Sequence, residues 1–187
     1  MIRKATIKDL DSIMAILKTL GTKEKNPDQG FMMNDYTANE DFYRQKYERD
    51  LMTLAYAYVY EDETAVKGFL LAYGKEEWLK EVPSWEKDVF WHPGFNHQNL
   101  ENFVLINQTG MFPGLTGKGI GSSLYKALFH DLSQAGIFNI FAETIIAPTP
   151  NFASLHFRLK QKYSLAGVRY EENDSTIFTT LVYHRHI

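Results

Sequence analysis

Six residues near the middle of the chain, Thr116-Gly117-Lys118-Gly119-Ile120-Gly121, constrain the fold more than any other segment. Directly after them Ile120, Leu124, Leu128 and Leu132 recur at intervals of four, the apolar stripe of a helix with one buried side, and Gly136 is positioned to stop it. Upstream, Gly110-Met111-Phe112-Pro113-Gly114-Leu115 interrupts any strand, because proline cannot donate to a ladder and glycine weakens one. The six residues therefore form a turn into a helix whose first N–H groups are bare, with the positive end of the helix dipole behind them. A phosphate group fits such a place.

Spacing narrows the choice of phosphate. A P-loop needs glycine at position 112 and Ser or Thr after the lysine, whereas Phe112 and Gly119 stand there. A dinucleotide fingerprint reads G-x-G-x-x-G, and this loop reads G-x-G-x-G. A glycine-rich turn with no ligand remains open on the loop alone.

The rest of the chain supplies a frame. Ile2 to Thr6 reads as a strand, and Thr6 with Asp9 as a capping box opening a helix through Leu20 with Ile13, Ile16 and Leu17 inside. Gly21 to Tyr36 reads as a mobile connection, followed by a helix over 37–51 with Phe42, Tyr43 and Tyr47 on its buried side. Strands over 52–60 and 65–73 form a hairpin around Glu61-Asp62-Glu63-Thr64, with Tyr56, Tyr58 and Tyr60 on one face as cross-strand packing. Residues 75 to 100, with Trp78, Trp85, Trp91, Phe90 and Phe95, read as an inserted helix and loop before a strand over 101–109. A strand over 138–145, a helix opened by Asn151 and a hairpin over 165–170 and 176–183 complete the chain.

With 187 residues and 44% of them hydrophobic, one domain spanning 1–187 is the expectation. The net charge of -3 gives no long-range attraction to nucleic acid or an anionic membrane. No cysteine is present, so disulfides, thiolate metal sites and a cysteine nucleophile are excluded. The charged start and the lack of any run of about 20 apolar residues point to a cytoplasmic protein. His92 with His97 and His184 with His186 lack carboxylates in a metal-ligand pattern and read as surface and tail residues, so no metal is expected.

The glycine loop, its Pro-containing approach and the segment Asn151-Phe152-Ala153-Ser154-Leu155-His156-Phe157-Arg158-Leu159-Lys160 together resemble the GNAT superfamily of N-acetyltransferases. The family's loop follows Arg/Gln-x-x-Gly-x-Gly/Ala between a bulged strand and a helix, and Thr116 stands here where Arg or Gln is usual. The resemblance covers most of the chain. It implies an α/β (α+β) fold with a mixed, mostly antiparallel central sheet flanked by helices, here with an insertion between the third and fourth strands.

The same resemblance implies an acetyl-CoA-dependent N-acetyltransferase acting on a primary amine of a small molecule or peptide by direct attack on the thioester. Thr116, Gly117, Lys118, Gly119, Ile120 and Gly121 would hold the pyrophosphate, with Gly110, Met111, Asn151 and Ser154 also on the cofactor. Asn151 serves equally well as a helix cap. The oxyanion donor would be the backbone N–H of Met111 or its neighbour. Glu101 is the first candidate for base and Glu143 the second, each with the alternative of a solvated strand-end carboxylate. The family's thiol-protonating tyrosine corresponds to Arg158, which can stabilise a thiolate by charge or form a surface salt bridge, leaving Tyr163, His156 and water as donors. Thr116 and the missing tyrosine keep a second reading open, a non-catalytic acyl-CoA-binding module. The insertion would shape the acceptor side through Trp85 or Trp91, or form a satellite core. The closing strand ending Tyr183-His184-Arg185-His186-Ile187 is available for a homodimer.

Overall fold

A computed structural model describes residues 1–173 and 175–187. Its strands and helices run, in chain order, β1 (Ile2–Lys4), α1 (Leu10–Leu20), α2 (Glu40–Thr53), β2 (Tyr56–Glu61), β3 (Val66–Gly74), α3 (Lys75–Glu81), α4 (Trp85–Asp88), β4 (Phe90–Trp91), β5 (Phe103–Met111), α5 (Ile120–Gln134), β6 (Asn139–Ala147), α6 (Phe152–Lys160), β7 (Ser164–Asn173) and β8 (Thr176–His186). The strands make one sheet in the order β1-β2-β3-β5-β6-β8-β7-β4. Every pairing is antiparallel except β5 with β6. The mixed sheet with flanking helices agrees with the fold expected from sequence.

The period of two in the central strands divides the core between the two faces of the sheet. Leu70, Ala72, Val104, Ile106, Ile140 and Ala142 pack under α5 against Leu124, Leu128 and Leu132. Their neighbours point the other way: Phe69 and Leu71 meet α1 and α2, and Tyr73, Phe103, Leu105 and Phe141 meet the 75–100 segment. Each fully buried leucine of α5 contributes roughly 1.5–3 kcal/mol by removal from water.

At the start of α1, Asp9 accepts from the Thr6 backbone N–H at 2.8 Å and also takes the fork of Arg3 at 2.8 and 2.7 Å. The capping residues open a 3-10 turn, Ile7–Asp9, before the α-helix proper. On α2 the buried positions are Tyr47, Asp50 and Leu51, with Tyr43 partly buried on the same side, whereas Phe42, one residue off that stripe, is exposed.

The 21–36 connection is tied down rather than loose. Met32 and Tyr36 donate backbone N–H groups to Leu20 and Gly21, and Ala153 donates to Pro27 across the molecule. Phe31 and Tyr36 are buried, an apolar anchoring that the surrounding turn residues mask in the sequence.

The 75–100 segment crosses the sheet face from β3, forms β4 on the far edge, where Phe90 and Trp91 pair with Val168 and Gly167, and continues through a 3-10 turn, His97–Leu100, to β5. Trp85 is fully buried there, packed edge-to-face with Phe141 and Trp91 and tilted against Phe103. Strand β8 lies between β6 and β7, so both its edges are already hydrogen-bonded. It cannot be the edge that pairs with another chain. His184 is likewise no tail residue: its ring packs on Phe141 and Phe95, and Asn139 Oδ1 lies 3.0 Å from its Nε2. Among the described residues no helix is long and apolar enough to cross a membrane.

Candidate functional site

The parallel pairing of β5 and β6 runs from Phe103↔Asn139 to Ile106↔Ala142 and then ends. On its other side β5 stays paired to β3 through Met111, with a shift that sets Leu71 opposite Gln108 and Ala72 opposite Ile106. Asn107 is the extra residue of that bulge, which bends the strand locally. Beyond it the β6-facing edge of β5 carries backbone groups with no strand partner. The two strands splay, and a cleft of about 360 Å³ opens between them.

The glycine loop forms one end of the cleft. Gly117 and Gly119 both have φ +84, a left-handed conformation that side chains with a Cβ rarely adopt. A Cβ at either would meet nothing within 4 Å, so the open space beside them is available to a ligand. The ladder of α5 begins with Ser123 N–H donating to Gly119 O at 3.0 Å, leaving the first-turn N–H groups for an anion. Gly121 serves differently: a Cβ there would approach Phe157 at 3.2 Å, so it allows α5 and α6 to pack closely. Thr116, Gly117, Gly119, Ile120 and Gly121 line the cleft, and Lys118 is exposed outside that lining.

Gly110, Met111, Asn151 and Ser154 also line it. The Asn151 side chain is fully engaged, accepting from Ser154 N–H at 3.1 Å and donating to Phe31 O at 3.0 Å. It caps α6 and fastens the 21–36 segment. The bulge stands at Asn107, four residues before the position expected for the oxyanion donor. The unpaired β6-facing edge begins at the bulge, around Asn107 and Gln108, and continues to Met111, whose neighbour Phe112 donates to Lys67 O on the β3 side.

Glu101 lies at the other end of β5. It is exposed, falls in the turn before the strand and is absent from the cleft. Six residues separate it from the bulge, about 20 Å of extended chain. A carboxylate there cannot reach an amine at the splay. Glu143 does line the cleft, but its Oε1 accepts from Trp85 Nε1 at 2.7 Å and Arg169 Nε at 3.2 Å, and its Oε2 from Arg169 Nη2 at 2.9 Å. Its lone pairs are largely committed to holding the insertion and β7.

Arg158 is buried on the cleft, not on a helix surface. Its Nη1 donates to Tyr125 Oη, Nε to Thr144 Oγ1 at 3.4 Å and Nη2 to Glu143 O at 3.4 Å. Tyr163 packs 5.6 Å from the guanidinium but does not line the cleft, and burial pushes its phenol well above the usual tyrosine range. His156 is exposed and outside the lining. Neither is in position to donate a proton at the splay.

Several lining residues escaped sequence reasoning. Tyr47 donates to Gln108 Oε1, and Gln108 Nε2 donates to Tyr36 at 2.6 Å, so these groups tie α2 and the 21–36 segment to the residue beside the bulge. Burial raises both phenols, keeping them neutral donors. Trp78 and Val82, not Trp85 or Trp91, bring the insertion to the cleft. Glu171, Arg169 and Thr180 come from the closing hairpin. Among the described residues, Trp78 Nε1, Thr109 Oγ1 and Thr180 Oγ1 are buried on this cleft with no hydrogen-bond partner. No period or motif announces them, because strand splaying brings together positions far apart in sequence.

No protein-family model and no curated protein matches the chain at the level of sequence. Solved structures do match throughout. A GCN5-related N-acetyltransferase from Rhodopseudomonas palustris superposes with a TM-score of 0.67 at 11% identity, covering 100% of this chain and 95% of that one. The PaiA N-acetyltransferase from Thermoplasma acidophilum, solved with coenzyme A, gives 0.65 at 14% identity over 100% and 98%. A ribosomal-protein-alanine N-acetyltransferase from Brucella melitensis gives 0.60 at 14% identity over 100% and 99%. The chain therefore carries the fold of the GNAT N-acetyltransferases.

Proposed function

We propose that this protein transfers the acetyl group of acetyl-CoA to a primary amine. The observation that carries the reading is the continuity of one cleft from the bare first turn of α5 to the splay of β5 from β6 at Asn107. A pyrophosphate fits the first end and a pantetheine arm the unpaired strand edges. This fit brings the thioester to the bulge. There a freed strand N–H stabilises the tetrahedral oxyanion, a contribution typically of several kcal/mol for a preorganised donor.

The amine must arrive neutral. With Glu101 remote and Glu143 engaged, its proton leaves to water in the cleft before attack. Attack forms the C–N bond, collapse breaks the C–S bond, and the electron pair goes to sulfur. An alkyl thiol has a pKa of roughly 8.5, so the thiolate is a fair leaving group. Arg158 stabilises it by charge, the attacking nitrogen gives its second proton to water as the adduct collapses to the amide, and water protonates the thiolate.

Relatives of this fold solved with coenzyme A, and one named for acetylating ribosomal-protein alanine, support the substrate class. Acetyl-CoA at 100 times its dissociation constant should add about 2.7 kcal/mol to stability, visible as a raised melting temperature. No shift with acetyl-CoA or CoA at millimolar concentration would sink the reading. Binding without amine-dependent release of CoA would instead favour the acyl-CoA-binding module, for which Thr116 and Arg158 are the sequence arguments.

A further inference from the structure

On the cleft wall formed by β6, β7 and β8 the charged side chains are two carboxylates, Glu143 and Glu171, and one guanidinium, Arg169, while Arg158 and Lys160 enter the same cleft from α6. The Arg169 Nη2 group donates to Glu143 Oε2 at 2.9 Å and to Glu171 Oε2 at 2.7 Å, so one buried guanidinium faces two carboxylates. Asp88 adds a third acid to its surroundings. The nearest cation on α2, Lys46, is already matched by Asp50 at 2.6 Å.

A second observation is independent of charge. Thr180 stands opposite Arg169 in the β7–β8 register, is 2% exposed, and leaves its hydroxyl without a hydrogen-bond partner on the same cleft. Leaving such a group unpaired forfeits the hydrogen bond it makes to water in the unfolded chain. An ammonium satisfies both features at once, because it donates in three directions and can reach a carboxylate and a hydroxyl oxygen together.

We infer that Glu171 and Thr180, with the charge of Glu143 beside them, form a subsite for a second ammonium, and that the acceptor is a dication. One amine is presented neutral at the bulge while the other stays charged on this wall. The inference rests on the acetyl-transfer reading for the first amine and on the wall alone for the second.

The test compares 1,5-diaminopentane with 1-aminopentane, which differ only in the second amine, by calorimetry on the full chain and by CoA release. The diamine should bind about tenfold tighter at low salt, with the advantage shrinking as salt screens it. Glu171→Gln should cut that advantage to roughly threefold or less. Thr180→Val should do the same without lowering the melting temperature, since it removes an unpaired hydroxyl. Equal affinity for the two amines, with CoA release intact, would overturn the subsite and leave acetyl transfer standing. If CoA neither binds nor is released, acetyl transfer falls, and the calorimetric preference measured without CoA decides the subsite separately.

Discussion

The guanidinium of Arg158 is held against the hydroxyl of Tyr125, and among the described residues it forms no ion pair with a carboxylate. A buried arginine without a counter-anion costs stability and suits a site where negative charge develops. Arg158→Met should therefore lower kcat about 10- to 100-fold, leave the KM for acetyl-CoA nearly unchanged, and keep or raise the melting temperature. A lower melting temperature with unchanged kcat would mark Arg158 as structural.

The glycines of the loop separate by mechanism. Gly119→Val forces a β-branched residue into φ +84 and puts its side chain in the open space beside the first turn of α5. It should abolish most of the thermal shift given by acetyl-CoA. Gly121→Val meets Phe157 instead, and should destabilise the ligand-free protein by the roughly 1–3 kcal/mol typical of overpacking, seen as a lower melting temperature. Melting curves of both variants with and without acetyl-CoA distinguish the two effects.

Glu101 stands outside the cleft, so Glu101→Gln should leave kcat/KM unchanged. Among the described residues no unpaired carboxylate lines the cleft at the bulge, so the rate should instead track the neutral fraction of the amine. For an alkylamine acceptor, log kcat/KM should rise close to one unit per pH unit across roughly pH 6 to 9, below an amine pKa near 10. A plateau beginning near pH 7 would point to a protein base.

His184 makes stability depend on pH. Burial, reinforced by His186, holds its imidazole down to about 4 from the ordinary 6.5. The unfolded chain therefore binds a proton there in a window where the folded chain does not, and stability falls as pH drops from 6.5 towards 4. His184→Phe keeps a ring against Phe141 and Phe95 and removes the titration. Its denaturation free energy should fall less steeply than that of the parent between pH 6.5 and 4.5. Parallel slopes would show that His184 does not contribute.

The glycine loop and the α5 stripe are legible in the sequence because both are local: the glycine positions and the Ile120, Leu124, Leu128 and Leu132 stripe follow from spacing, whereas the left-handed conformation of Gly117 and Gly119 is seen only in the structure. Strand bounds shift by a few residues because alternation fades at their ends. The bulge at Asn107 carries no composition signal, since it is defined by the register of β3 against β5. Phe42 misleads because an aromatic residue near a helix start reads as core while its direction depends on packing. The tryptophans are visible as a cluster, yet which of them reaches the cleft depends on how the 75–100 segment crosses the sheet. Trp85 goes to the centre of a core and Trp78 to the wall. Glu171 and Thr180 meet Glu143 only through three-dimensional neighbours, so a single sequence offers no reason to choose them over other polar strand residues.

The central claim is tested most directly by following free thiol while a primary amine is added to the protein with saturating acetyl-CoA. Acetyl transfer requires thiol to appear at a rate that depends on amine concentration and saturates, with one acetylated amine formed for each thiol released. Thiol release that is the same with and without amine, across mono- and diamines, would contradict it.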